Sequence, residues 1–214
     1  MRKTLCVCLV LVLCLFATGY AEEEATIDVQ KLFGKTENGV YENEILGLGF
    51  NMDGWCGYND KEAAAIEQFG KVAASEEFMK ELRETGTVTV LEVKAEDGSG
   101  NININVNDLG STASIVEKIG LKTFLEMSVD TYKELYSQTA MKNIEIEYVT
   151  TSIEGEEYAG YRISCDLMGI HMYMRQMLFL RGTYVVTISM TTSKEEAMLD
   201  EILGRFYCLK DSEE

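Results

Sequence analysis

The sequence predicts an α+β domain with a mainly antiparallel sheet, and three features carry that prediction. Residues 87–107 alternate apolar and polar side chains on either side of Asp97-Gly98-Ser99-Gly100, the pattern of two strands joined by a tight turn. Residues 144–190 continue in the same way as a meander of four strands, with turns at Glu154-Gly155 and Arg181-Gly182. Helix-start signals stand at Asn59, Ser75, Ser128 and Ser193.

The chain opens with Arg2-Lys3, an uncharged run from Leu5 to Phe16 and small residues up to Ala21, followed by Glu22-Glu23-Glu24. A basic start, a short apolar run and a small-residue end have the form of a signal peptide over residues 1–21. Cleavage is expected after Ala21, with the product secreted or extracytoplasmic. The run is about half of the ~20 residues that span a bilayer, so no membrane span is expected after signal cleavage. Lipid anchoring at Cys14 is the less favoured alternative, because the bulky Leu13 precedes it. Residues 22–38 read as a flexible N-terminal segment, and 39–210 as a single domain.

Within that domain Val40-Tyr41 begins a strand and Glu42-Asn43-Glu44 reads as a turn. Leu46, Leu48, Phe50 and Met52 then alternate with Gly47, Gly49 and Asn51, the period of a half-buried strand. Trp55, the single tryptophan, follows at once and is expected to close one end of the core, with a ligand contact as the alternative. Residues 59–86 suit one broken helix or two short ones. The strand 101–107 turns Ile102, Ile104 and Val106 one way and four asparagines the other, a wet sheet face with sugar or cation binding as the sharper alternative. Residues 110–120 read as a connection with a short helical piece. Ser128 is expected to cap a helix carrying Val129, Tyr132, Leu135 and Tyr136 inward. In the meander, Tyr184, Val186, Ile188 and Met190 share a face, while the phase of residues 170–180 slips at Gln176, which predicts a bulge or a strand buried on both faces. Ser193-Lys194-Glu195-Glu196 reads as a capping box for a last helix with Met198, Leu199, Ile202, Leu203 and Phe206 inward.

The chain carries 36 acidic against 19 basic residues, a formal charge of −17. Such a surface repels phosphate backbones and anionic headgroups, which excludes nucleic acid as a partner. Cys6, Cys8 and Cys14 fall in the signal, leaving Cys56, Cys165 and Cys208 with at most one intramolecular bridge between them.

Val40-Tyr41-Glu42-Asn43 leading into Leu48-Gly49-Phe50-Asn51-Met52-Asp53-Gly54-Trp55, with Leu180-Arg181-Gly182-Thr183-Tyr184-Val185-Val186-Thr187-Ile188-Ser189 and a helix after it, resembles the uncharacterised exported or lipoprotein-like bacterial proteins of the PsbP-like fold. The turn before Trp55 lacks the proline that family members tend to carry. The resemblance spans most of residues 39–206. It implies an α/β/α sandwich with a central, mainly antiparallel sheet, similar to extrinsic photosynthetic and assembly factors that work by docking to partners. It brings no shared catalytic residue.

His171 is the single histidine, so a serine or cysteine nucleophile with a histidine base would have to use it. With Tyr173 and Arg175 it lies on one face of a strand, a small site for a carboxylate or other anion. His171, Tyr173, Arg175 and Trp55 are therefore the candidate ligand-binding residues. No catalytic set, metal set or cofactor motif is identified: one histidine cannot build a zinc site without carboxylates, and Gly47-Leu48-Gly49 lacks the rest of a phosphate-binding loop. Asp97-Gly98-Ser99-Gly100-Asn101 and Asn51-Met52-Asp53 offer oxygens to a cation but match no EF-hand loop. The expectation is an exported, non-enzymatic binding or interaction protein whose partner is an extracytoplasmic protein or small ligand. The alternatives are a secreted hydrolase using His171 with a Cys or Ser nucleophile, and an extracytoplasmic cation-binding module.

Overall fold

The structure, a computed structural model, describes residues 33–58, 87–110, 113–137 and 139–209. The signal-like stretch, the helices expected in 59–86 and most of the N-terminal segment lie outside the described residues. Eleven strands follow one another: β1 (Lys35–Glu37), β2 (Val40–Asn43), β3 (Leu48–Asn51), β4 (Trp55–Gly57), β5 (Val88–Ala95), β6 (Gly100–Asp108), β7 (Met141–Ile153), β8 (Glu156–Leu167), β9 (Ile170–Arg181), β10 (Tyr184–Thr192) and β11 (Phe206–Cys208). Three described helices, α1 (Ala113–Ile119), α2 (Leu121–Ser137) and α3 (Met198–Leu203), fall between β6 and β7 and before β11. Among the described residues no helix is long and apolar enough to cross a membrane.

All pairings are antiparallel, in a seven-stranded sheet of order β4-β5-β6-β10-β9-β8-β7 and a four-stranded sheet of order β1-β2-β3-β11. The domain is thus α+β and rich in sheet. Alternation along each strand of the large sheet makes two cores. Ile102, Ile104, Met177, Val186, Ile188 and Met190 meet Leu48 and Phe50 of the small sheet and Leu199 and Ile202 of α3. On the opposite face Ile146, Tyr161, Ile163 and Leu178 meet Val116 of α1 and Leu125 and Tyr132 of α2. Each fully buried aliphatic or aromatic side chain contributes about 1.5–3 kcal/mol, so the large sheet is clamped from both sides.

This two-sided packing explains the phase slip in β9. Its register with β8 and β10 runs unbroken through Gln176, so there is no bulge. Met177 and Phe179 enter one core while Leu178 enters the other, so Gln176 to Phe179 are all buried. A register shift does occur elsewhere, between Thr89 and Leu91 of β5.

Several local expectations are corrected. Glu42 and Asn43 belong to β2, and the turn comes after them, where Asn43 Oδ1 accepts from the Leu46 amide at 3.1 Å. Leu46 is buried from that turn rather than from a strand. β1 extends the small sheet into residues 35–37, the end of the segment read as flexible. Ser128 does not cap a helix: α2 starts at Leu121, and the Ser128 hydroxyl donates to the Phe124 carbonyl within it at 2.7 Å. The capping box at Ser193 is not formed; α3 begins at Met198 with no side-chain cap, and the Lys194 amide instead donates to Thr192 Oγ1. Phe206 is buried as expected but from β11, not from the helix.

Two glycines allow close approach. A Cβ at Gly160 would sit 1.8 Å from the Gln176 carbonyl oxygen, and one at Gly49 would strike the Tyr207 ring. That ring lies across β3 and its hydroxyl donates to Glu42 Oε1 at 2.9 Å. Gly49, of the glycines before Trp55, thus has a packing reason, while Gly47 has a φ of 68° in the turn before β3.

Candidate functional site

The small sheet and α3 do not cover the whole face of the large sheet. α1 and α2 pack on one side of β8 and β9, while the other side carries polar residues toward the end of the hairpin. The tight turn Met168-Gly169, with φ of 53° and 85°, fixes the register there: Asp166 lies opposite His171, Ser164 opposite Tyr173 and Arg162 opposite Arg175. Directly opposed residues share a face, so these six side chains form one polar strip.

His171 Nδ1 is 2.7 Å from Asp166 Oδ1. An ionised carboxylate only accepts, so Nδ1 is the donor. The other oxygen of Asp166 accepts from Asn143 Nδ2 at 2.6 Å. These bonds, that from His171 first, hold the Asp166 carboxyl below the usual carboxylate range. The Tyr173 ring stands edge-on to the imidazole, with centroids 4.7 Å apart, and its inner side packs on the core. Arg175 lies deeper than His171, its side chain 15% exposed against 48%, and it donates to Asp200 of α3 at 2.5 Å. Arg162 is shared between Glu196 at 3.0 Å and Glu147 at 3.8 Å. Both guanidinium groups therefore tie the strip to the α3 segment.

His171, Tyr173 and Arg175 are thus brought together as expected, and Trp55 is not with them. Trp55 lies on β4 at one margin of the large sheet, 9% exposed, its ring edge-on to Phe50 with centroids 5.5 Å apart. The carboxylate partners Asp166 and Asp200 were not anticipated. Asp166 was legible, because two residues between paired strands place 166 opposite 171; Asp200 was not, since nothing in the sequence says where α3 packs.

The other candidate chemistries find their groups placed as follows. Cys165 alternates with Asp166 and so shares the face of Tyr161 and Ile163, away from His171; burial pushes its thiol up. Cys208 lies on β11 of the other sheet, with Sγ 3.6 Å from the Ile153 carbonyl, and burial raises its thiol too. Among the described residues Cys56, Cys165 and Cys208 form no disulfide with one another. Asp97 accepts from the Ser99 amide at 2.8 Å and from Lys194 Nζ at 3.0 Å, so a lysine already occupies its cation side. The asparagine row is laced internally: Asn105 donates to Asn103, Asn107 to Thr87, and Thr89 to Asn105.

A cleft of about 710 Å³ lies beside the strip, lined by Asn51, Asp53, Glu154, Asp200, Arg205 and Tyr207 among others. Its one described arginine, Arg205, donates to the Asp53 carbonyl at 2.6 Å, which fixes it against the wall. Asp200 belongs to both cleft and strip.

No protein-family model matches the chain, and no curated protein matches it. Among solved structures it is similar to the cyanobacterial PsbP protein CyanoP from Synechocystis sp. PCC 6803, with a TM-score of 0.49, 12% identity, and 89% of this chain and 98% of that one covered. A protein from Bacteroides thetaiotaomicron VPI-5482 aligns with a TM-score of 0.40 and 11% identity over 83% of this chain, which spans about half, 51%, of that protein's length. A protein of unknown function from Pseudomonas aeruginosa aligns over 55% of this chain with a TM-score of 0.34 and 12% identity. These likenesses are distant, and the fold described above rests on strand order and register alone.

Proposed function

We propose that this chain is an exported, non-enzymatic binding module of PsbP-like architecture whose partner docks on the outward strip of β8 and β9. One observation supports the reading above others: His171, Tyr173 and Arg175 share an outward face on rigid strands, with both basic groups oriented by carboxylates, His171 by Asp166 and Arg175 by Asp200. Pre-set side chains on a strand lower the ordering cost of association. The signal-like start and the charge of −17 support export and solubility outside the membrane.

A hydrolase is the second reading, and a single observation favours it. Asp166 orients Nδ1 of His171, which is what the acid of a catalytic triad does for its base. The serine on that face is Ser164, across from Tyr173. Burial raises the Cys165 and Cys208 thiols, which lowers their thiolate fraction and argues against the cysteine version.

Turnover separates the two. Incubation of the full chain with chromogenic ester, thioester and peptide substrates is expected to give no rate that depends on His171. A rate abolished by both His171→Ala and Ser164→Ala would overturn the binding reading.

A further inference from the structure

β7 is the longest strand and also the outermost: its 13 residues, Met141–Ile153, form one margin of the seven-stranded sheet, while the other margin, β4, has three. Strands are usually about 5–6 residues long, and a long bare margin is a template for another strand. Which backbone groups it offers follows from the turn. Glu154 and Gly155 have φ of 49° and 93°, a type I′ hairpin, so Ile153 and Glu156 exchange both hydrogen bonds. Counting back by twos, Thr151, Val149, Glu147 and Glu145 direct their backbone groups to β8. Ile146, Tyr148, Thr150 and Ser152 therefore direct N–H and C=O outward, and no other described strand pairs with them. The ladder breaks between Lys142 and Glu145, where Asn143 has φ of 52°, so the regular margin begins at Glu145.

Side chains decide what this margin accepts. Glu145 and Glu147 are exposed on one face of it, and Glu147 shares its arginine with the nearer Glu196. On the other face Ile146 is buried and Tyr148 half-buried against the second core. A second copy pairing antiparallel about Ile146 would set Glu145 of one chain against Glu147 of the other, and like charges directly opposed are destabilising. We infer that the outer margin of β7 takes an extended segment of a partner protein as an added strand, with lysine or arginine alternating with β-branched or apolar residues. Backbone hydrogen bonds supply the pairing, and the two glutamates select the basic side. This goes beyond the docking strip on β8 and β9: it uses a different part of the sheet, and each can fail without the other.

The test uses the full chain and a ten-residue peptide alternating lysine with valine and threonine, against the same peptide with glutamate for lysine. Exchange of the Ile146, Tyr148 and Thr150 amides is expected to slow at least tenfold with the lysine peptide and not with the glutamate one. Thr150→Pro removes one outward N–H, a change tolerated at sheet margins, and is expected to weaken binding at least tenfold. The exposed double variant Glu145→Lys/Glu147→Lys is expected to exchange the preference, and it carries the test if the proline variant does not fold. A His171→Ala/Tyr173→Ala variant is expected to bind the peptide like the parent, which separates this margin from the strip. No slowing by the lysine peptide, slowing that survives Thr150→Pro, an unchanged preference after charge reversal, or dimerisation through β7 would overturn the inference.

Discussion

Asp166 sits between two donors, His171 Nδ1 at 2.7 Å and Asn143 Nδ2 at 2.6 Å, and its carboxyl is depressed by both. Removing the larger contribution in His171→Ala is expected to raise the Asp166 midpoint toward the ordinary carboxylate value, read from the carboxyl carbon shift by NMR titration; an unmoved midpoint would separate the two residues. Asp97 gives a stability dependence of known sign. Its carboxyl is lowered from 3.8 to about 2, chiefly by Ser99 and then Lys194. The folded value lies below the unfolded one, so the stabilisation is complete above pH ~4 and is lost as pH falls through about 4 to 2. Asp97→Asn should flatten the fall in melting temperature across that window relative to the parent. The contact of Asp97 with Ser99 belongs to a turn legible in the chain, but that with Lys194 was not, since Lys194 comes from the far end of the sequence.

Of the hairpins, Glu154-Gly155 was read from the chain, while those at Asn38-Gly39 and Met168-Gly169 carry the same glycine mark without having been named. Asn38-Gly39, Glu154-Gly155 and Met168-Gly169 all place both loop residues at positive φ, as the type I′ turn requires. Asparagine suits its place; glutamate and methionine do not, since a Cβ in the left-handed region costs about 1–2 kcal/mol. Met168 is 54% exposed, so Met168→Asn gives up little packing, and it should stabilise by about 0.5–1 kcal/mol, a rise in melting temperature of ~2 °C. An unchanged or lower melting temperature would show that the turn is not of this type. Helix starts were the least legible. Ser128 and Ser193 carry the right side chains for caps, but a serine hydroxyl serves equally well inside a helix, as Ser128 does toward Phe124, and the strand that ends at Thr192 takes over the Lys194 amide. Local chemistry of that kind is decided by packing, which a single chain does not spell out.

For the whole molecule, the apolar alternation of β6, β9 and β10 foretold a sheet with a buried face, and the slip at Gln176 left a bulge or burial on both faces, of which the structure has the second. What covers each face was not legible, because no local pattern tells β11 to pair with β3 across more than 150 residues of chain. Trp55, expected from the sequence to close one end of the core, is held on β4 edge-on to Phe50 and belongs to that core. Trp55→Ala is expected to cost about 3–5 kcal/mol in denaturant unfolding, with any partner binding by the folded fraction retained. The binding role of the strip is tested most directly by site-specific photo-crosslinking in the producing cell, with a benzophenone side chain at position 171 or 173 and a control at position 127 on the outer side of α2. A discrete crosslinked species from 171 and 173, absent from 127 and competed by added unlabelled chain but not by an Arg175→Ala/His171→Ala variant of equal stability, is the expected result. Identical crosslinks from all three positions, or equal competition by the variant, would contradict it.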